Sequence, residues 1–281
     1  MSKFDEKYLD LCQEILEKGV YSQNRTGTPT YNVHGKHLEF DLSEEFPILT
    51  TKFVAFKHAT LELLWIYQAA SNDVRWLQER GITIWDEWQI DDNGMYMGKN
   101  YGKEFAGTIG TAYGYIVNRF DLMRKAIKTI KENPTDRRNV INLFQYDYLD
   151  SGTLPPCVYM HQWLVNEDKL DILVYQRSCD VPLGFPFNVS QYAVLANLVA
   201  QVTGYKVGKM YWNIGSAHIY ENQIDGIKTQ LARRKDAKPA PKLWVNPEIK
   251  DFYKFDNSKE LKDIKLVNYE HLGKISMPVS V

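Results

Sequence analysis

Leu170-Asp171-Ile172-Leu173-Val174-Tyr175, followed by Gln176-Arg177-Ser178-Cys179-Asp180 and then by the mostly apolar segment Val189–Val202, decides the fold class. The first six residues read as a strand ending at Gln176, so that Arg177-Ser178-Cys179-Asp180 leaves the strand end. Val189–Val202 reads as a mostly apolar helix capped by Gly204. Working outward, Ala59–Gln68 looks like a second buried helix, because Leu61, Leu63, Leu64 and Ile66 leave little polar surface. Alternation in His37-Leu38-Glu39-Phe40-Asp41-Leu42 indicates another strand. Residues 3–18 pattern as an amphipathic helix with Phe4, Leu11 and Ile15 on one face, ended by Gly19. Arg119–Lys131 patterns as one amphipathic helix through Phe120, Met123, Ile127 and Ile130, stopped by Asn133-Pro134. Asn24–Pro29 has turn chemistry, Asp92–Gly107 reads as a loop, and the tail from Leu261 is short and mixed. Strands and helices are interspersed without a βαβ rhythm. The expected class is α+β, a mixed β-sheet packed with helices, in a single domain over residues 1–281.

The bulk numbers exclude some functions. Lys plus Arg is 34 and Asp plus Glu is 35, a balance unlike that of a generic nucleic-acid binder, so no DNA binding is expected. Apolar residues make up 44% and charged residues 25%, ordinary values for a soluble globular chain. Three cysteines, Cys12, Cys157 and Cys179, have neither disulfide nor zinc-ligand spacing, so no metal is expected. Lys3, Asp5, Glu6 and Lys7 leave no apolar signal region, and no apolar run approaches the ~20 residues of a bilayer span. A cytoplasmic location with reduced thiols and no membrane contact is expected.

Several polar groups stand out against apolar surroundings. Cys157 follows two prolines in Leu154-Pro155-Pro156-Cys157-Val158; a lone cysteine there is most simply a small buried hydrophobe. Arg177 nearby would lower its pKa and raise the thiolate fraction. Arg25, the pair Arg137-Arg138, and Arg177 fall in loop-like positions and suit phosphate, although each alone is more often a solvated surface charge. Glu62 lies inside an apolar helix, where a buried carboxylate must be hydrogen-bonded or functional, or else face water. Asn188 precedes the Val189 helix, where an N-cap is the plain role, yet its amide offers a donor and an acceptor matching O4 and N3–H of uracil. His218 and Tyr220, two apart in an extended segment, point the same way and can share one hydroxyl. Trp85 and Trp88 are either plain core or a wall for a flat heterocycle such as a pterin.

Taken in order, these segments resemble the thymidylate synthase family over nearly the whole chain: Arg25-Thr26-Gly27-Thr28, Phe46–Lys52, Glu62-Leu63-Leu64-Trp65, Ile84–Trp88, Tyr113-Gly114, Asp136-Arg137-Arg138, Leu154–Cys157, Gln176–Asp180, Leu183-Gly184 with Pro186-Phe187-Asn188, and His218-Ile219-Tyr220. The resemblance implies that Cys157 adds to C6 of dUMP, that Glu62 assists proton transfer at O4, and that Tyr113 lies by the departing C5 proton. It implies that 5,10-methylenetetrahydrofolate donates carbon and hydride. It assigns Arg25, Arg177 and Ser178 to phosphate, joined by Arg137 and Arg138 from a partner subunit, with Asn188 on uracil and His218 and Tyr220 on deoxyribose. Asp180 would anchor the pterin, Trp85, Trp88, Leu183 and Gly184 would shape the folate pocket, and Val281 would close over it. A homodimer packed sheet to sheet follows from the same likeness.

The chain departs from the family pattern at Val158, where His is common, at Phe53 for a basic residue, and at Ser216 for Asp. Thr111-Ala112 replaces Pro-Val, and Ile116-Val117-Asn118 replaces Gln-Trp-Arg. The nearest rival function is a dUMP hydroxymethylase of the same architecture, in which water rather than hydride traps the exocyclic methylene. A cytosine-specific hydroxymethylase fits Asn188 less well. A non-catalytic nucleotide- or RNA-binding relative is opposed by the intact set Cys157, Glu62 and Tyr113.

Overall fold

The computed structural model describes residues 1–280; Val281 lies outside the described residues. In chain order the elements are α1 (Lys3–Lys18), β1 (Val20–Ser22), β2 (Thr30–Asp41), α2 (Phe56–Tyr67), α3 (Arg75–Gln78), β3 (Met95–Tyr96), β4 (Lys99–Asn100), α4 (Gly114–Arg119) and α5 (Leu122–Glu132). They continue as β5 (Val140–Asn142), α6 (Tyr146–Leu149), β6 (Val158–Asn166), β7 (Lys169–Asp180), α7 (Gly184–Thr203), β8 (Lys206–Tyr220), α8 (Ile224–Ala232), β9 (Lys242–Val245) and β10 (Ile264–Val267).

Helix α7 carries no charged side chain, and a helix apolar all round must be covered all round. It is accordingly buried along its length, between the sheet and α2. Gly204, at φ 85°, closes it in the left-handed conformation that glycine adopts without cost. The sheet has six strands in the order β1-β2-β8-β7-β6-β5. All pairs are antiparallel except β7 with β8, and α7 is the crossover which that parallel pair requires. The inner face, with Ile172, Val174, Met210, Trp212 and Trp163, packs into one core cluster with α1, α2 and α7. The outer face alternates to Tyr159, Tyr175, Tyr211 and Asn213, which are only half-buried. A concavity of about 610 Å³ runs over this face from His37 and Asn213 to Phe144, Tyr146 and Arg177.

The α+β class holds, with several changes of detail. The strand that opens with Leu170 does not end at Gln176 but runs through Asp180, so Arg177-Ser178-Cys179-Asp180 belongs to the strand. Pairing with both neighbours, Val158 to Gln176 and Ser178 to Ser216, keeps the backbone extended there. Asn188 is not an N-cap: α7 starts at Gly184, and Pro186 near its start is compatible with a first helical turn. The Arg119–Lys131 pattern is divided, because Asp121 adopts left-handed φ 51° between α4 and α5. The Asp92–Gly107 segment contains the β3–β4 hairpin, and the tail contributes β10, paired with β9.

At the start of α1, Ser2 accepts a hydrogen bond from Asp5 N–H at 3.0 Å. The buried Asp5 carboxylate then accepts from the backbone N–H groups of Thr50 (2.9 Å) and Thr51 (3.0 Å) and from both hydroxyls, fixing the segment that leads to Lys52. No helix among the described residues is long and apolar enough to cross a membrane.

Tyr113 holds φ 47° and ψ −105°, a conformation strained for a residue with a Cβ, and the chain can turn there because Gly114 follows. A Cβ on Gly114 would lie 1.9 Å from the Ser71 carbonyl oxygen. Gly114→Ala is therefore expected to destabilise the fold by about 3 kcal/mol or more, read as a fall in denaturation midpoint; an unchanged midpoint would contradict this packing.

Candidate active site

The end of β7 and the end of β8 run side by side, with Asp180 in register with His218 and Ser178 with Ser216. Strand alternation turns Gln176, Ser178 and Asp180 to one side and Arg177 to the other. Cys157 lies just before β6, whose pairing with β7 shifts register between Val158 and Met160, and bulges often re-aim side chains beside active sites. The Arg177 N–H donates to the Cys157 carbonyl at 2.9 Å, so the cysteine is tied to the site strand.

Arg177 also shapes the thiol's surroundings. Its Nε donates to the Pro156 carbonyl at 2.9 Å and its Nη2 to the Pro155 carbonyl at 2.7 Å. The same Nη2 lies 3.9 Å from the Cys157 Sγ. The two prolines thus hold out carbonyls that seat a guanidinium against sulfur. Arg177 does pull the Cys157 thiol down, as expected, but it does not decide the outcome. Burial pushes the Cys157 thiol above its ordinary value, while Arg177 and then Arg25 pull it back down, and Asp180 adds to the rise. Desolvation wins because the neutral thiol is favoured wherever water is excluded.

Tyr113 OH accepts from the Cys157 backbone N–H at 3.1 Å, which leaves its own proton free to donate. Its ring meets Trp85 edge-on with centroids 5.3 Å apart, and Trp85 meets Trp88 at 5.5 Å. Glu62 is not on a wet face of α2; that helix is buried from Ala59 to Tyr67. One Glu62 oxygen accepts from Trp85 Nε1–H and the other from Gln191 Nε2–H. Burial raises the carboxyl to about 7 against these two donors, which favour its ionised form.

Asn188 lies on the second turn of α7. Its Oδ1 accepts from Gln176 Nε2 at 3.2 Å and its Nδ2 donates to Gln191 Oε1 at 3.0 Å. Each of its two polar atoms retains capacity for one further hydrogen bond. His218 and Tyr220 do point the same way, their rings edge-to-face at 5.2 Å. Burial holds His218 down to about 4, so it is a neutral imidazole at neutral pH. Arg25, in the exposed turn before β2, acts electrostatically on both Cys157 and Tyr220. Asp180 accepts from Leu183 N–H at 3.0 Å and from Gln223 Nε2 at 3.2 Å, and burial raises its carboxyl despite Lys52 nearby. Leu183 and Gly184 form the half-buried entry to α7 beside it. Arg137 and Arg138 are not gathered with this cluster. Arg138 is paired with Asp136 at 2.9 Å, and the Arg137 carbonyl is held by Gln162 at 2.7 Å on the outer sheet face.

Three groups escaped the sequence reading: Gln176, Gln191 and Gln223. All are buried amides. Their signal was present, since each lies next to or three residues from a candidate: Gln176 before Arg177, Gln191 after Asn188, Gln223 after Tyr220. Among the described residues no group of three or more His, Cys, Asp or Glu is placed to hold a metal. The departures are structural in character: Val158 is buried at the start of β6, and Phe53 packs its ring 5.0 Å from His271 while its N–H bonds Gly273 O of the tail at 2.9 Å.

Comparison with known proteins agrees with this arrangement. The family profile described as thymidylate synthase matches residues 6–281. A thymidylate synthase of Clostridium beijerinckii is 51% identical over 281 residues, covering 100% of both chains. One of Bacillus mojavensis is 43% identical over 291 residues, again covering 100% of both. The solved structure of a thermostable thymidylate synthase A from Bacillus subtilis superposes with TM-score 0.87 at 40% identity, covering 99% of each chain. With likeness to these proteins over its full length, the chain belongs to the thymidylate synthase family.

Proposed function

We propose that Cys157, Glu62 and Tyr113 carry out the reductive methylation of dUMP to dTMP in a single catalytic unit spanning residues 1–281. The observation that carries this reading is the placement of Arg177 between the Pro155–Pro156 carbonyls and the Cys157 sulfur. A nucleotide phosphate reaching Arg25, Arg177 and Ser178 would set the pyrimidine over the thiol, an orientation effect that turns a slow addition into a local one. The Cys157 thiol gives up its proton to water and its sulfur bonds to C6 of uracil, the C5–C6 π electrons moving onto C5 and O4; the S–C6 bond breaks again when the C5–C6 double bond re-forms in the product. Glu62, with water, manages the proton at O4, while Asn188 reads O4 and N3–H. Tyr113 would lie close to the C5 proton that must leave, its hydroxyl oxygen keeping one lone pair to accept from the water that carries that proton away. Neutral His218 and Tyr220 share the deoxyribose hydroxyl.

The co-substrate proposed is 5,10-methylenetetrahydrofolate, which supplies a one-carbon unit and a hydride when bound. The residues present suit it. Trp85 and Trp88 offer aromatic faces, and Asp180, kept hydrogen-bonded but with lone pairs to spare, suits N–H groups of a pterin. Leu183 and Gly184 border that space. Synthase is preferred to hydroxymethylase because the family profile and the relatives compared all carry the synthase description.

The working form we propose is a homodimer joined through the outer sheet face, whose tyrosines are half-exposed and whose concavity reaches Arg177. Arg137 and Arg138, at the margin of that face, would supply phosphate contacts to the partner's site. The compartment proposed is the cytoplasm.

The direct test incubates the protein with dUMP and methylenetetrahydrofolate, follows dihydrofolate by absorbance and identifies the nucleotide. Thymidylate with dihydrofolate is expected, and lost in Cys157→Ser but kept in Cys179→Ser; hydroxymethyl-dUMP without folate oxidation would refute the reading. Both Glu62 oxygens accept N–H bonds, so the resting group is the carboxylate, and protonating it impairs the site. kcat/KM should therefore fall on the acid side of about pH 7. In Glu62→Gln that limb should vanish together with roughly 100-fold or more of the activity. For the shared site, mixing inactive Cys157→Ser chains with inactive Arg137→Glu/Arg138→Glu chains should restore turnover through hybrid dimers; no recovery after verified exchange of subunits would count against it.

A further inference from the structure

One line of hydrogen bonds crosses the site from Trp212 to Glu62. Trp212 Nε1 donates to Gln176 Oε1 at 3.0 Å. Gln176 Nε2 donates to Asn188 Oδ1 at 3.2 Å, and Asn188 Nδ2 donates to Gln191 Oε1 at 3.0 Å. Gln191 Nε2 donates to the Ala59 carbonyl at 3.1 Å and to Glu62, whose other oxygen accepts from Trp85 Nε1. We infer that Gln191 is a specificity-determining positioning residue, which holds the Asn188 amide in the one orientation that matches uracil and couples that reading to Glu62. This rests on the proposed reading of the site as a dUMP site.

An asparagine by itself does not tell uracil from cytosine. Uracil presents an acceptor at O4 and a donor at N3–H, while cytosine presents a donor at N4 and an acceptor at N3. A free amide reads either by turning over. Here turning over is blocked from both ends. An indole N–H only donates, so Gln176 must turn its oxygen to Trp212 and its NH₂ to Asn188. At the other end the Ala59 carbonyl and the Glu62 carboxylate only accept, so Gln191 must turn its NH₂ to them and its oxygen to Asn188. A reversed Asn188 would face donor to donor at Gln176 and acceptor to acceptor at Gln191, losing two hydrogen bonds within the protein. Gln191 and Asn188 are three apart on α7, as Ala59 and Glu62 are on α2, so both helices present these groups on facing surfaces. Gln191 is 3% exposed, and each of its amide atoms is engaged within the protein.

The test compares wild type with Gln191→Met, which keeps length without polarity, and Gln191→Glu, which still accepts from Asn188 but cannot donate to Glu62. Calorimetric titration with dUMP and with dCMP gives the affinity ratio, thermal midpoints verify folding, and the pH profile of kcat/KM for dUMP reports Glu62. In Gln191→Met the dUMP-over-dCMP ratio should shrink about tenfold or more. The acid limb should also move to higher pH, because the carboxylate has lost a donor. In Gln191→Glu the ratio should survive while the acid limb moves up further, since a second negative charge faces Glu62. An unchanged ratio in folded Gln191→Met, or an equal loss for both nucleotides with an unmoved acid limb, would overturn the inference while leaving the dUMP reading intact. Wild type binding neither nucleotide would overturn both.

Discussion

The parallel pairing of β7 with β8 is the constraint on which the site depends. Adjacent parallel strands cannot be joined by a tight turn; the chain must cross from the end of one to the start of the other. Here the crossover is α7, and because it lies over the sheet it is mostly apolar and carries no charged side chain. Its first turns necessarily start where β7 ends. That single geometric fact brings Asn188 of the helix, with Gln191 bonded to it, against Gln176 of the strand, whose end at Asp180 lies in register with His218. β6, antiparallel to β7 on the other side, delivers Cys157 to the same end through its bond to Arg177. No loop has to be ordered independently to gather these groups.

The same burial that assembles the site determines its electrostatics. Cys157, Glu62 and Asp180 are all shifted toward the protonated form, and His218 toward the neutral form, with desolvation the largest cause in each case. Direct hydrogen bonds to Glu62 and Asp180, and the arginine charges near Cys157, oppose that tendency without overcoming it. For Glu62 that contest ends at about 7, a position that suits proton traffic better than a fixed charge. Glu62 illustrates the balance: two N–H donors stabilise the carboxylate and a dry helix interior disfavours it, and the outcome lies near neutrality.

Much of this was legible in the sequence, for identifiable reasons. The buried helix over Val189–Val202 and the strand from Leu170 show in their hydrophobic pattern, and His218 and Tyr220 in their two-residue spacing. The limits are equally physical. Asn188 read as a cap because Pro186-Phe187 looked like the approach to a helix, whereas a proline is tolerated within a first turn. Polar residues after Gln176 suggest a strand end there; pairing with β8 through Asp180 and the Arg177 N–H bond to the Cys157 carbonyl keep them extended regardless of polarity. The division of Arg119–Lys131 at Asp121 leaves hydrophobic spacing almost unchanged, so periodicity could not reveal it. At Cys157 the lowering by a neighbouring arginine is visible in the sequence, whereas the larger rise from the loss of water around the thiol is not.

Amide direction is the extreme case of this difference. Gln176, Asn188 and Gln191 each carry a donor and an acceptor on one carbon, and nothing in their residue types says which faces where. The orientation is imposed by groups with only one polarity, the indole of Trp212 at one end and the Ala59 carbonyl and Glu62 carboxylate at the other. Each amide passes that polarity on, because a buried donor facing a donor loses its bond without gaining one from water. A recognition surface of one asparagine is thus made directional by residues that need never touch a ligand. The direction of the Asn188 amide then depends on an arrangement extending from the sheet, through α7, to α2.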